Sequence, residues 1–255
     1  MRRWNGRADA AGRGRGRLAV FAVAAWLAAG PASAAGFRLC TADEWPPYTT
    51  IDKGQIGGSH TELIRAAFRR MGEPLDIVSL PWARCLAEVA SGEQDGAYAA
   101  SLTTDRAAMA LYPATALGEV SYVLVTLRSA VADWNGAPDP KTLPQPVAAP
   151  HGYSILGTLH GLDGVQVVDH LPTDDADLAA LLDGEVGTIA IERGVARYVI
   201  ARDHVEDKVA VLDPPLVPAK KYYMIVSRRY AGGGGAQAFT DRFSDALKAV
   251  EATAR

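Results

Sequence analysis

The sequence contains few of the residue patterns that mark common catalytic, metal-binding or nucleotide-binding sites. It has two cysteines and five histidines among 255 residues, and neither type shows the close spacing of a zinc site. It also lacks a P-loop, a G-x-G-x-x-G fingerprint after a predicted strand, and the G-x-S-x-G elbow of serine hydrolases. We therefore predict no catalytic residue, no metal ligand and no cofactor.

Long apolar runs are also scarce. The one that stands out, Leu18 to Ala29, has twelve residues, whereas a membrane-spanning helix needs roughly 20. Six arginines precede this run, and Ala32-Ser33-Ala34 follows it as a small-x-small cleavage site. The arrangement is typical of a secretory signal peptide, and an uncleaved anchor is the less favoured alternative. We expect cleavage near Ala34 and a periplasmic mature protein.

Positive charge is concentrated at the start of the chain. Residues 1–34 carry six arginines and one acid, a net charge of +5, so the remainder carries −8 although the whole chain carries −3. An acidic protein is a poor candidate for binding nucleic acid. We expect a small-molecule ligand and no nucleic-acid partner.

The most informative stretch runs from Pro81 to Pro113. Trp82 and Arg84 open a predicted amphipathic helix, which Gly92 ends in the usual way. A short apolar strand then leads into a hydroxyl-rich loop, residues 101–106, that precedes a further helix. A loop at the carboxyl end of a parallel strand borders the crevice in which open α/β sheets bind ligands.

This loop combines hydroxyl groups with an arginine. Ser101 and Thr103 supply hydroxyls, the start of the helix supplies backbone N–H groups, and the Arg106 guanidinium fits a carboxylate with two parallel hydrogen bonds. With Trp82 nearby, the stretch predicts a carboxylate-binding corner with an aromatic wall. The alternative for each residue alone is structural, with Arg106 as a solvated helix residue and Trp82 as part of the core.

The order and spacing of these features resemble the bacterial extracellular solute-binding proteins of family 3, the polar amino-acid binding group. The pattern PW-x-R-x7-G-x2-DG-x7-T-x-R-x5-YP and the stretch LCTADEWPPYTTIDKGQIGG carry this resemblance, which covers nearly all of the chain after the first thirty-odd residues. It implies a two-lobe α/β fold of the type II periplasmic-binding class, with two crossings between the lobes. Lobe one is expected to comprise residues 35–126 and 217–255, and lobe two residues 127–216.

The resemblance also implies roles for individual residues. Trp45, in a loop stiffened by two prolines, falls where the family packs an aromatic side chain on the ligand. In lobe two the candidates are Ser154 as a donor, with Gly152 and Tyr153 beside it, after a predicted strand.

Two charged candidates are less defined. Glu192 ends a predicted strand where the family usually has an aspartate that holds the ligand's amino group; the alternative is an ordinary acid at a helix N-terminus. Arg84 is a candidate second cationic contact or the partner of a surface acid.

In the resembling fold Cys40 and Cys85 lie close together at the ligand rim. Export to an oxidising compartment favours a disulfide between them, and two buried free thiols are the alternative.

The resemblance implies that the protein captures a small polar solute, an amino acid or related carboxylate, and delivers it as a monomer to an inner-membrane ABC permease. We expect no enzymatic activity. One alternative is an enzyme of the cyclohexadienyl dehydratase type, with Glu192 as the general acid. Another is a soluble partner that presents its ligand to a membrane sensor.

The carboxyl-terminal third is expected to hold two separate strands. Residues 209–212 are predicted to form one strand, Asp213-Pro214-Pro215 to begin the return crossing, and residues 218–228 to form the next strand. A closing amphipathic helix is predicted from Ala236 to Val250.

Overall fold

The computed structural model describes residues 1, 36–42, 44–132 and 137–253. The predicted signal peptide therefore lies outside the described residues, apart from Met1. Within the described ranges, no helix combines the length and the apolar character that crossing a membrane requires.

Short strands alternate with helices along most of the chain. The strands are β1 Phe37–Thr41, β2 Thr50–Asp52, β3 Gln55–Gly57, β4 Leu75–Ser79, β5 Gly96–Ser101, β6 Ala110–Leu111, β7 Gly118–Leu127, β8 Val147–Ala148, β9 Val167–Val168, β10 Thr188–Glu192 and β11 Val209–Ser227. The helices are α1 Ser59–Met71, α2 Trp82–Ser91, α3 Thr104–Met109, α4 Ile155–His160, α5 Asp174–Leu182, α6 Arg193–Arg202 and α7 Ala236–Thr253, with a 3₁₀ helix at Arg128–Val131.

Nine strands of the described residues join in one sheet. Their order is β4-β1-β5-β11-β7-β10-β8-β9, with β6 beside β11. The first end is parallel, β1 lying between β4 and β5, and β8 runs parallel to β9 and β10 at the other end. The long strands β7 and β11 pair antiparallel between these two ends. This arrangement confirms the predicted two-lobe α/β fold with two crossings; the lobe boundaries stay predictions.

β11 differs from the two separate strands expected from the sequence. It runs without a break from Val209 to Ser227, although its pairing with β7 shifts register between Leu212 and Val217. Because proline has no N–H to donate to a ladder, Pro214 and Pro215 lie in this unpaired stretch. The prolines thus interrupt the hydrogen bonds of the strand but not its extended course.

Each end of the sheet has its own core. At the first end the aromatic rings of Phe37 and Phe239 stack with centroids 4.5 Å apart, and Phe68 packs on both. Full burial of such a side chain contributes about 1.5–3 kcal/mol. At the other end, aliphatic residues of β7, β10 and helices α4 to α6 form a separate cluster.

A disulfide joins β1 to α2. Cys40 and Cys85 are fully buried and bonded, as predicted, with Cα atoms 5.7 Å apart. The bridge closes a segment of 45 residues, for which the chain-entropy model gives about 4 kcal/mol. It holds the first turn of α2, and with it Trp82, against the end of β1.

Candidate functional site

Arg106 lies where the two ends of the fold meet. Thr103 caps α3 by accepting a hydrogen bond from the backbone N–H of Arg106 at 3.3 Å, which places the arginine in the first turn. The side chain is only 7% exposed. Its Nη1 donates to the Ser101 Oγ at 2.9 Å and its Nη2 to the Gly152 carbonyl at 3.0 Å. Since a guanidinium has five N–H donors, this arrangement leaves donors for a ligand.

Aromatic side chains surround this guanidinium. With their neighbours they border a cleft of about 300 Å3, part of it open to solvent, which is lined by Ala42, Trp45, Trp82, Ala99, Arg106, Tyr122, Tyr153, Ser154 and Tyr222. The Arg106 Cζ lies 5.3 Å from the centre of the Trp82 ring, within the range of a cation–π contact. Trp45 stacks on Tyr222 with ring centroids 5.1 Å apart. The cleft is thus apolar in surface and positive at one corner.

Two features of the cleft wall are typical of ligand sites: an indole N–H without a partner and a residue with a positive φ angle. The indole Nε1 of Trp45 is buried and has no hydrogen-bond partner among the described residues, so a ligand acceptor would satisfy it. Ala99 has φ of +61°, in the left-handed region, beside an irregular register between β5 and β11. Backbone strain of this kind is concentrated at ligand sites.

Lys220 adds a second cation at the edge of the cleft. Its Nζ donates to the Ser154 Oγ at 2.8 Å and lies 5.0 Å from the centre of the Tyr122 ring. Burial, followed by the positive charge of Arg106, lowers the pKa of Lys220 to about 8. Two cations therefore hold the loop 152–154, Arg106 at the Gly152 carbonyl and Lys220 at the Ser154 hydroxyl.

Lys220 and a pair of tyrosines in the cleft wall were not predicted from the sequence. The Tyr122 and Tyr222 hydroxyls lie 2.8 Å apart, and Lys220 stands two residues before Tyr222 on β11. Alternation along a strand places residues i and i+2 on one face, so the pattern K-x-Y was the signal available.

Glu192 has a local structural role. Its Oε2 accepts hydrogen bonds from the backbone N–H groups of Gly194 at 2.6 Å and Val195 at 3.0 Å, which caps α6. The side chain also interacts with the Tyr48 hydroxyl and is 2% exposed. Burial raises the pKa of Glu192, while these hydrogen bonds oppose the rise. Glu192 does not line the aromatic cleft.

The remaining candidates fall into two groups. Thr103 and Gly152 line a neighbouring groove, to which Arg106, Tyr153 and Ser154 of the cleft also contribute. Arg84 instead points away and pairs with Glu88, with its Nε 2.7 Å from the carboxylate and its side chain 67% exposed. The structure thus brings together Trp45, Trp82, Ser101, Thr103, Arg106, Gly152, Tyr153 and Ser154, and it leaves Arg84 and Glu192 outside the cleft.

Several solved structures are similar to this one. The arginine-bound Gly52Ala mutant of ArgBP from T. maritima has 16% identity and a TM-score of 0.69, over 83% of this chain and 94% of that chain. An ancestral arginine-binding protein bound to arginine has 15% identity and a TM-score of 0.72, over 86% of this chain and 93% of that chain. A histidine kinase sensor domain with similarity to periplasmic binding proteins has 20% identity and a TM-score of 0.71, over 86% and 92%. At these identities the likeness shows the fold alone.

Comparison with curated proteins gave no match. The family model of the bacterial extracellular solute-binding proteins, family 3, matches residues 37–197, which is more than half of the chain. The match includes β1, the disulfide, α2, the Arg106 loop and the loop 152–154. The chain therefore belongs to the bacterial extracellular solute-binding proteins of family 3.

Proposed function

We propose that the protein captures a small carboxylate-bearing solute, an amino acid or a related carboxylate, in the aromatic cleft and delivers it to an ABC importer of the inner membrane. The observation that carries this proposal is the position of Arg106. Its guanidinium already contacts Ser101 on one side of the cleft and Gly152 on the other. A ligand carboxylate at this point would contact both halves, which is how a ligand favours closure.

Family membership supports this function, and the arginine-bound neighbours have the same fold. Export through the predicted signal peptide would place the protein in the periplasm, where an importer would receive the solute. The dehydratase alternative needs Glu192 as a proton donor in the cleft, whereas its Oε2 accepts two backbone hydrogen bonds at the start of α6. The geometry therefore favours binding over catalysis.

Isothermal titration of the purified protein against amino acids and small carboxylates tests the proposal. Arg106→Ala should weaken binding of the identified carboxylate by about tenfold to a hundredfold, because hydrogen bonds to a charged group contribute about 1.5–3 kcal/mol. Arg84→Ala is the matched control, since it removes an exposed arginine two residues from Trp82 and should leave affinity unchanged. Equal affinity of the Arg106→Ala protein and the unaltered protein would refute the assignment.

Delivery to an importer needs a test in cells. Deleting the gene should abolish energy-dependent uptake of the same radiolabelled solute, and restoring the gene should restore it. Uptake that survives the deletion, together with loss of a solute-induced response, would instead identify a partner of a membrane sensor.

A further inference from the structure

A second cavity lies beside the aromatic cleft. It encloses about 400 Å3, part of it open to solvent, and is lined by Glu44, Pro46, Thr173, Asp174, Asp175, Val195 and Val199. Glu44 and Pro46 flank Trp45 in the chain, and the Tyr153 hydroxyl is a near neighbour of Asp174. Since Trp45 and Tyr153 line the cleft, the two spaces are neighbours across these two aromatic side chains.

Asp174 is the unusual group in this cavity. Its side chain is 4% exposed and interacts with the Tyr153 hydroxyl, which lowers its pKa, but neither carboxylate oxygen accepts a hydrogen bond of normal length and angle from the described residues. A buried carboxylate without such partners is costly unless it gains a proton or a cation. Burial, together with the negative charges of Glu192 and Asp175, raises the pKa of Asp174 to about 7.

The surroundings of Asp174 are negative. Asp177, one turn further along α5, is 1% exposed, and its Oδ1 also lacks a hydrogen-bond partner among the described residues. Asp175 is the exception, because its Oδ1 accepts from the Arg202 Nη2 at 2.9 Å. None of the residues that line the cavity is a lysine or an arginine.

The wall of the cavity indicates the kind of cation. Pro46, Val195 and Val199 give apolar contacts, and Asp174 and Glu44 give carboxylates. This mixture suits a group that has both carbon surface and N–H donors. We propose that this cavity is a subsite for an organic cation, a primary ammonium or a guanidinium group, with Asp174 as its charged partner.

If the cation belongs to the captured solute, the inference adds a second contact to the proposed function and rests on that function. A solute held by its carboxylate at Arg106 would reach this subsite with a distal cation once Trp45 or Tyr153 moved aside. A separate amine would meet the same chemistry, so the experiment must distinguish the two sources.

Isothermal titration of the purified protein with L-arginine, L-citrulline and agmatine makes this distinction. Arginine and citrulline have the same length and differ in the charge at the distal end, and agmatine keeps the cation but lacks the carboxylate. The unaltered protein should bind arginine at least about tenfold more tightly than citrulline, the effect of one charged hydrogen bond. Asp174→Asn should bring this ratio close to one and leave citrulline affinity unchanged.

Two further variants keep the test informative. Asp183→Asn removes an exposed carboxylate at the other end of α5 and should leave the ratio unchanged. Glu44→Gln removes another carboxylate that lines the cavity and is exposed, and it should lower the ratio about threefold, even if Asp174→Asn fails to fold.

The outcomes separate the two proposals. Equal affinity for arginine and citrulline, or a ratio that survives Asp174→Asn, overturns the subsite while the function proposed from Arg106 stands. Agmatine binding that Asp174→Asn abolishes and Arg106→Ala preserves supports the subsite for a separate amine, even if no carboxylate binds. Failure of all three compounds to bind overturns the subsite.

Discussion

The cationic corner and the acidic cavity bury opposite charges in different ways. Arg106 and Lys220 donate hydrogen bonds to Ser101, Gly152 and Ser154 within the protein. The Asp174 carboxylate interacts with the Tyr153 hydroxyl, but neither of its oxygens accepts a hydrogen bond of normal geometry from the described residues. The cationic corner therefore has partners within the protein and donors left for a ligand, whereas a proton or a cation would stabilise Asp174.

This difference indicates how each kind of ligand would meet the protein. A carboxylate at the cationic corner would add to contacts that already exist. A cation in the acidic cavity would instead supply a partner to a buried carboxylate. At equal affinity and concentration, either ligand raises the free energy of unfolding by the same amount.

The largest expected effect is the loss of folding stability with rising pH that is linked to Asp177, beside the acidic cavity. Burial, with a contribution from Asp174, raises the pKa of Asp177 to about 9, well above its value of about 3.9 in an unfolded chain. Stability linked to this group is therefore full below about pH 4 and is lost as the pH rises towards 9. Asp177→Asn should reduce the loss of unfolding free energy between pH 5 and 9 by about 2 kcal/mol, measured by urea denaturation.

The comparison between the two regions would fail if Asp177→Asn and the unaltered protein lost stability in parallel over this range. Asp183→Asn, on the exposed end of the same helix, serves as the control and should follow the unaltered protein.

A smaller effect is expected at the cationic corner, where the affinity for a carboxylate should depend on the protonation of Lys220. The pKa of Lys220, lowered to about 8, lies within the accessible range, whereas a guanidinium stays protonated. Carboxylate affinity should fall about threefold between pH 7 and 9 as Lys220 loses its proton. Lys220→Met should bind more weakly at pH 7 and vary less with pH, which titration at both pH values measures. An equally steep pH dependence in both proteins would remove Lys220 from the site.

The smallest effect is expected from Arg202, which pairs with Asp175 at the acidic cavity. The two side chains are 37% and 44% exposed. Arg202→Gln should change the unfolding free energy by less than about 1 kcal/mol, because exposed ion pairs contribute little. It should also raise agmatine affinity about twofold by leaving Asp175 unpaired. Weaker agmatine binding would mean that Arg202 supports the cavity by packing.

Local sequence patterns predicted much of the fold. The bounds of α2 match the prediction, since Trp82 begins the helix and Gly92, in the left-handed conformation, ends it. The course of β11 was predicted less well. Prolines after Leu212 normally end a strand, but pairing of both flanks with β7 keeps this one extended.

The site was predicted only in part, for a related reason. Arg106 and Trp82 belong to one continuous stretch, so spacing alone placed them together. Lys220 and Tyr222 meet Tyr122, about a hundred residues earlier, only after β7 and β11 have paired. The burial of Asp177 was also hidden, because an acid in a helix is usually solvated and its environment depends on distant elements.

The pairing of β11 with β5 also has a consequence for synthesis. The first core needs Phe37 from β1, Phe68 from α1 and Phe239 from α7, near the end of the chain. A nascent chain that has not yet released β11 and α7 would have an open edge on β5 and an unfilled core. The first end of the sheet therefore cannot complete its fold on the ribosome before the last strand and the last helix have emerged.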